Sequence, residues 1–227
     1  MTAQSHSLRI DQAPQTLREI AVDRVRQAII LGRFASGERL VERTLCDQLG
    51  VSRSVVREVI RTLEAEGLVE NAPRSGPIVA RLDWPRAAQI YSIRRLLEAE
   101  AAAACAARAD DAVKAELAAA LAGLEAALAS GQNDTIHAAT HHFYQVIFTA
   151  AGHDIAWDIV QRLNGRIARL RSLTLATTDR RQSGPARMAA IARAIAANDP
   201  AAAACAVQDH LTEAADIARR LLESAPK

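Results

Sequence analysis

Residues 40–69 constrain this chain more than any other stretch. Two short segments with helical spacing of apolar residues meet at Gly50-Val51-Ser52: Leu45 and Leu49 mark the first, and Val56, Val59, Ile60 and Leu63 the second. Gly50 can take the positive φ of a tight turn, Ser52 is a good N-cap, and the 3–4 spacing of the apolar positions gives each helix one buried stripe. The second segment carries Arg53, Ser54, Arg57 and Arg61 on its outer side. Two short helices joined in this way, with a basic outer face on the second, predict a helix-turn-helix whose second helix enters a DNA groove.

The flanking sequence extends this unit. From Thr16, Leu17, Ile20, Ala21, Val25, Ala28 and Ile29 follow helical spacing up to Gly32. After the third helix, stopped by Gly67, two β-type runs, 68–71 and 77–82, surround Ala72-Pro73-Arg74-Ser75-Gly76 and predict a two-stranded wing. Residues 14–82 therefore read as a winged helix-turn-helix, preceded by a polar arm, 1–13, predicted to be disordered. Asp83-Trp84-Pro85 reads as a linker. Beyond it, breaks at Asp110, Gly131, Gly152, Ser183-Gly184-Pro185 and Asn198-Asp199-Pro200 separate helices over about 86–108, 110–130, 133–151, 154–177, 184–197 and 200–224. The predicted fold is mainly α: an N-terminal winged helix-turn-helix followed by an all-helical antiparallel bundle over 86–227.

Composition supports the bundle, with 50% hydrophobic but only 3% aromatic residues and Ala-rich runs that favour close helix packing. Charge does not argue for DNA. Residues 1–82 hold 12 Arg against 10 acids, and the remainder 16 basic against 16 acidic groups. The case rests on where the arginines sit. Cys46, Cys105 and Cys205 lack metal or redox spacing and read as small buried hydrophobes in a reducing compartment. With neither an 18-residue apolar run nor a signal-peptide core, the expectation is a soluble, cytoplasmic protein with no membrane partner. No nucleophile elbow, phosphate loop, zincin motif or carboxylate pair occurs, so no enzymatic activity is expected.

The order of parts resembles the GntR family of bacterial regulators. Gly37-Glu38-Arg39-Leu40, Leu49-Gly50-Val51-Ser52-Arg53, Val56-Arg57-Glu58 and Leu63 to Leu68 fall at that family's positions. Ser36 and Ser54-Val55 depart from its more frequent Pro and Thr-Pro. From about residue 86 the chain resembles the helical FCD effector domain of the FadR-like branch, through Arg94-Arg95-Leu96-Leu97-Glu98, Ala150-Ala151-Gly152, Ala194-Ile195 and Asp209-His210-Leu211. The resemblance implies that Arg43, Ser52, Arg53, Ser54, Arg57 and Gly76 touch DNA. The residue chemistry agrees: Arg53 and Arg57, four apart, share the exposed face, an Arg fork reads guanine O6 and N7, and serines at a helix N-terminus hold phosphate.

Many FCD domains bind a divalent metal through an Asp and a His four apart and two later His. With the register set by Phe143 and Gly152, those positions fall on Thr140, Tyr144, Met188 and His210. Three of the four are poor divalent donors, so the usual metal site is expected to be absent and no cofactor is expected. A rebuilt site using His137 and His141, or His142, with His210 is the rival, though no carboxylate is in register to complete it. Arg94, Thr140, Tyr144, Met188 and His210 instead suit an organic anion with an apolar part, held directly. The reading is a ligand-responsive regulator, expected to be a repressor, that binds an inverted-repeat operator in double-stranded DNA as a homodimer and is released by a small organic acid. The alternatives are a nonspecific architectural DNA binder and a metal-dependent sensor.

Overall fold

Thr16 starts the first described helix through a reciprocal cap: its hydroxyl accepts from the Glu19 amide while the Glu19 carboxylate accepts from the Thr16 amide. The computed structural model describes residues 16–224, so the predicted arm at 1–13 lies outside the described residues. Helix α1 (Leu17–Ile30) buries Ala21, Val22, Val25 and Ile29 against α3 (Arg53–Ala65), whose Val56, Val59, Ile60 and Leu63 form its inner stripe. Between them α2 (Glu42–Leu49) inserts Leu45 and ends at Gly50 in the left-handed region, φ 66°. Strands β1 (Val69–Ala72) and β2 (Gly76–Val79) pair antiparallel, Val69 opposite Val79 and Ala72 opposite Gly76, and an isolated bridge joins Arg39 to Ile78. Both wing strands are thus shifted by one residue from the sequence runs, and the second is shorter, ending at Val79, after which the Ala80 amide still donates to the Leu68 carbonyl at 2.9 Å.

Asp83 caps α4 (Trp84–Arg108), with Pro85 in the first turn, where its missing N–H costs nothing. The helical half continues with α5 (Asp111–Ser130), α6 (Asn133–Ala151), α7 (Asp154–Arg166), α8 (Ala168–Ala176), α9 (Thr178–Ala196) and α10 (Pro200–Ser224). Its core combines small faces, Ala101, Ala102, Ala106 and Ala203, with Phe143, Ile147, Phe148, Ile191 and Ile195, all almost fully buried. The alanines let α4 and α10 run close together, and burying each large side chain stabilises by about 1.5–3 kcal/mol. Asn198 ties the α9–α10 corner to the end of α4, donating to the Ala106 and Ala109 carbonyls at 2.8 and 2.9 Å.

Two helix boundaries differ from the sequence reading. The segment 154–177 is not one helix: after Asn164-Gly165 the chain leaves α7 at Ile167 (φ −109°, ψ 13°) and restarts as α8. Glycine permits this break, and fully buried Ile167 fixes it beside Tyr91 and Leu170. In contrast, Ser183-Gly184-Pro185 does not end a helix, because α9 runs through it. The lost backbone bond is offset by Met188, Ile191 and Ile195, which need the continuous helix to reach the core. Cys205 also departs from expectation. It is exposed on α10, Cys46 is half-buried, and only Cys105 is fully buried, its thiol pushed up to about 11 by burial.

The winged half and the bundle touch through the α7–α8 corner. A side chain on Gly165 would meet the Glu66 carbonyl oxygen at 2.5 Å, so the helix needs a glycine there. Ala168 packs on the core of the winged half, and Arg169 Nη1 donates to the Phe34 carbonyl at 3.3 Å.

Candidate functional site

Helix α3 packs its inner stripe against α1, α2 and β1 and leaves its opposite side exposed. Ser52, in extended conformation (φ −70°, ψ 160°), accepts from the Val55 amide and shares a 2.8 Å hydrogen bond with Ser54. Arg53, Ser54 and Arg57 are exposed on the side opposite the Val56–Val59–Leu63 stripe, and Arg43 is exposed on α2. The structure therefore exposes five of the six DNA candidates on the helix pair, and Gly76 stands at the wing. Arg57 is already engaged, since its Nε lies 3.0 and 3.2 Å from the two carboxylate oxygens of Glu42. Such an exposed pair is worth at most about 1 kcal/mol and yields to a phosphate or base. At the wing tip, Arg74 has φ 69° and Gly76 φ 71°, which turn the hairpin tightly and leave the Arg74 side chain exposed. The sequence reading credited Gly76 and overlooked Arg74, although Pro73-Arg74-Ser75-Gly76 is turn chemistry with a cation in the middle.

In the bundle, Arg94, Thr140, Tyr144, Met188 and His210, expected to gather, all line one pocket between α4, α6, α9 and α10. Its apolar wall includes Leu124, Leu128, Ile136 and Leu211. The Thr140 hydroxyl donates to the Ile136 carbonyl at 2.7 Å, and that of Thr174 to the Leu170 carbonyl at 2.7 Å. Both hydroxyls therefore keep only acceptor capacity for anything in the pocket.

Arg94 does not face the pocket as a simple positive charge. Its Nε donates to Glu98 at 2.6 Å, and both side chains are almost fully buried. Burial opposes the guanidinium charge, but Glu98 more than offsets it, and Arg94 titrates above its usual value. A second cation, Arg171 on α8, lines the same pocket and was missed. Burial and the neighbouring Arg94 pull its pKa down to about 10, against attraction from Glu98, Tyr91 and Tyr144. Read as one straight helix, 154–177 gives residue 171 no defined facing. The only available signal was the Leu170, Thr174 spacing beside it.

The histidines of the rival metal site are apart. His137 Nε2 lies 2.9 Å from the Ser172 hydroxyl, and His141 stands edge-on to Trp157. Both line the crevice between the two halves, while His210 lines the pocket. Burial, then the charge of Arg171, lowers His137 to about 4 and pulls His141 down. No three His, Cys, Asp or Glu side chains converge among the described residues. At the four positions where the FCD resemblance implies a metal, a hydroxyl committed to its own helix, a phenol, a thioether and one imidazole do not fit a divalent ion.

A winged helix-turn-helix joined to a helical domain with an internal pocket defines a DNA-binding protein that carries its own ligand domain. The family described as bacterial regulatory proteins, gntR family, matches residues 17–79, and the FCD domain matches residues 89–213. The chain belongs to the GntR family of transcriptional regulators, in the branch with an FCD domain. It is 29% identical over 208 residues to an HTH-type transcriptional regulator in an unstable DNA locus of Streptomyces ambofaciens, covering 90% of this chain and 86% of that one. It is 38% identical over 74 residues to the gluconate operon transcriptional repressor of Bacillus subtilis, 33% of this chain and 30% of the repressor. Among solved structures, McbR/YncC of E. coli shares the fold, with TM-score 0.74 and 20% identity over 92% of this chain and 99% of that one. No helix among the described residues is long and apolar enough to cross a membrane.

Proposed function

We propose that this regulator is a cytoplasmic repressor that binds an inverted-repeat operator as a homodimer and is released when a small organic acid enters the bundle pocket. Residues 14–82 are the reading head and 86–227 the effector and dimerisation domain, joined at 83–85. The observation that carries the reading is the pocket, where five residues from four helices line one space together with Arg171 and the apolar side chains of Leu124, Leu128, Ile136 and Leu211. Arg53 and Arg57 read base edges, Ser52 and Ser54 hold phosphate at the α3 N-terminus, Arg43 contacts the backbone, and Gly76 with Arg74 brings the wing into the minor groove. One head reads only a few base pairs, so specificity requires two. Ile93 and Leu96 on α4 and Ile155 and Ile159 on α7 are exposed, Leu96 at 71% and Ile155 at 74%, and α4 packs beside α7. Such an apolar face suits a second copy of the chain.

Coupling has a physical route. Helix α8 borders the pocket through Arg171 and Thr174 and holds the reading head through Ala168 and Arg169. A change of about 1–3 kcal/mol in head placement is enough for a switch. Light scattering tests the assembly: the full chain is expected to be a dimer and Leu96→Glu a monomer at micromolar concentration. A wild-type monomer, or a Leu96→Glu dimer, removes this face from the account.

A further inference from the structure

The bundle meets the winged half at the C-terminal ends of α1 and α3. Arg169, at the start of α8, lays its guanidinium against Gly32, just past α1: a side chain on that glycine would sit 3.2 Å from Nη2 and 3.4 Å from Cζ. The same group donates to the Phe34 carbonyl at 3.3 Å. Arg166, the last residue of α7, runs its stem across Gly67, just past α3, so closely that a side chain on Gly67 would overlap it. Beside it, Gly165 stands against the carbonyl of Glu66, the cap residue of α3. The C-terminal end of a helix carries partial negative charge, so a cation is favoured at both places. Glu66 in turn takes a two-pronged bond from Arg26 of α1, Nε at 2.9 Å and Nη2 at 2.6 Å, which ties the two helix ends to each other. The bundle therefore holds α1 and α3 as one block.

Across the wing the connection is looser. The chain itself crosses at 80–83, and the Arg86–Glu70 pair there is 3.8 Å long and open to solvent, a contact worth little. Released from Arg166 and Arg169, the block would pivot about this crossing. Helix α3 has 13 residues and starts at Arg53, at the far end from the corner. Over its length of about 20 Å, a tilt of about 10° at the corner carries the Ser52 end by about 3.5 Å, as far as one base-pair step.

We propose that Arg166 and Arg169 are positioning residues for operator binding. By pinning α3 and α1 to the bundle they fix the separation of the two reading heads, and so the number of base pairs accepted between half-sites. This rests on the dimer and inverted-repeat reading above and goes beyond it by naming what sets the spacing. Arg166 lies at the end of α3 opposite Ser52 and Arg53, and Arg169 is half-buried against Gly32 and Phe34, so neither takes part in reading a single half-site.

Fluorescence anisotropy of the full chain tests this on three labelled duplexes. They are the sequence that the wild-type protein selects from a random pool, the same sequence with one base pair inserted between its half-sites, and a single half-site. The insertion moves one half-site by about 3.4 Å and turns it by about 35°. Wild type is expected to bind the inserted duplex about tenfold or more weakly than the selected one. Arg166→Ala/Arg169→Ala is expected to lose no more than about threefold on insertion, with single half-site affinity within about twofold of wild type. A merely structural role would lower half-site affinity and leave the spacing preference in place. An alanine variant that rejects the inserted pair as sharply as wild type does therefore overturns the proposal. Where the alanines prevent folding, Arg166→Gln/Arg169→Gln, which keeps most of each stem, is measured and judged in the same way. If wild type accepts the inserted pair while two copies occupy the duplex by light scattering, the proposal falls and the dimer stands. One copy on the selected duplex would remove the inverted-repeat reading and the proposal together.

Discussion

Arg53 stands in solvent at the start of α3 beside Ser52 and Ser54, whereas Arg171 is drawn against Arg94 and Tyr144 in the bundle. The same side chain is cheap in the first place and expensive in the second. Water screens Arg53 until DNA arrives, so its contribution appears only in the complex and depends on salt. Arg171 carries its cost in the free protein, where burial already lowers its pKa. The comparison teaches how one chain sets the same side chain in two environments: on an exposed helix face that a polyanion can reach, and in a pocket lining where burial and a neighbouring arginine oppose its charge.

The largest expected effect tests whether the bundle depends on its few aromatic residues. Phe143 is fully buried in the bundle core, edge-on to Tyr144. Phe143→Ala should cost about 3–5 kcal/mol of stability by chemical denaturation. A loss under 1 kcal/mol would mean the alanine-rich core is looser than its burial indicates. The next effect separates the two uses of arginine. Arg53→Ala should weaken specific DNA binding by about 1–3 kcal/mol without changing the melting temperature. Arg57→Ala should cost less, because the wild-type side chain first leaves Glu42. Equal sequence preference in both variants and wild type would mean α3 is not the reading helix.

How much of this was legible in the sequence follows the same division. The winged half is built from local signals: the left-handed Gly50, the Ser52 cap and the Val56–Leu63 stripe each act within a few residues and were read from the sequence, whereas Thr16 was read as a helix start without its reciprocal cap. The five pocket residues expected to meet also do so. What was not legible is tertiary. The α7–α8 break at Ile167 depends on Gly165 closing on the Glu66 backbone, and the continuous α9 depends on burial beyond Pro185. Arg171 follows from that break, which sets its facing. The Arg57–Glu42 pair likewise joins residues 15 apart that no helical period links.

A smaller, pH-dependent effect concerns the crevice between the halves. His137 titrates near 4 in the fold against 6.5 for the free group, because burial and Arg171 oppose its proton. The unfolded chain therefore binds the extra proton, and the contribution of His137 to stability is full above about pH 6.5 and lost as pH falls toward 4. Thermal melts should show that loss, and His137→Gln should flatten it. An unchanged slope in the variant would assign the loss to other groups. The smallest effect is at Glu42. Glu42→Gln releases Arg57 and removes a negative charge beside DNA, so affinity should rise by no more than about 1 kcal/mol, most visibly at low salt. Weaker binding would instead make Glu42 a positioning partner for Arg57.

The central claim, an exposed reading face governed by a pocket for a small acid, is tested most directly by fluorescence anisotropy of a labelled duplex selected by the full chain from a random pool. Wild-type protein should prefer the selected duplex to a scrambled one by about a thousandfold or more, and an organic acid that binds it should weaken that complex by about tenfold. Arg53→Ala should lower that preference by about 5–150-fold. Equal affinity for selected and scrambled duplexes, or a complex that the bound acid leaves unchanged, would contradict the account.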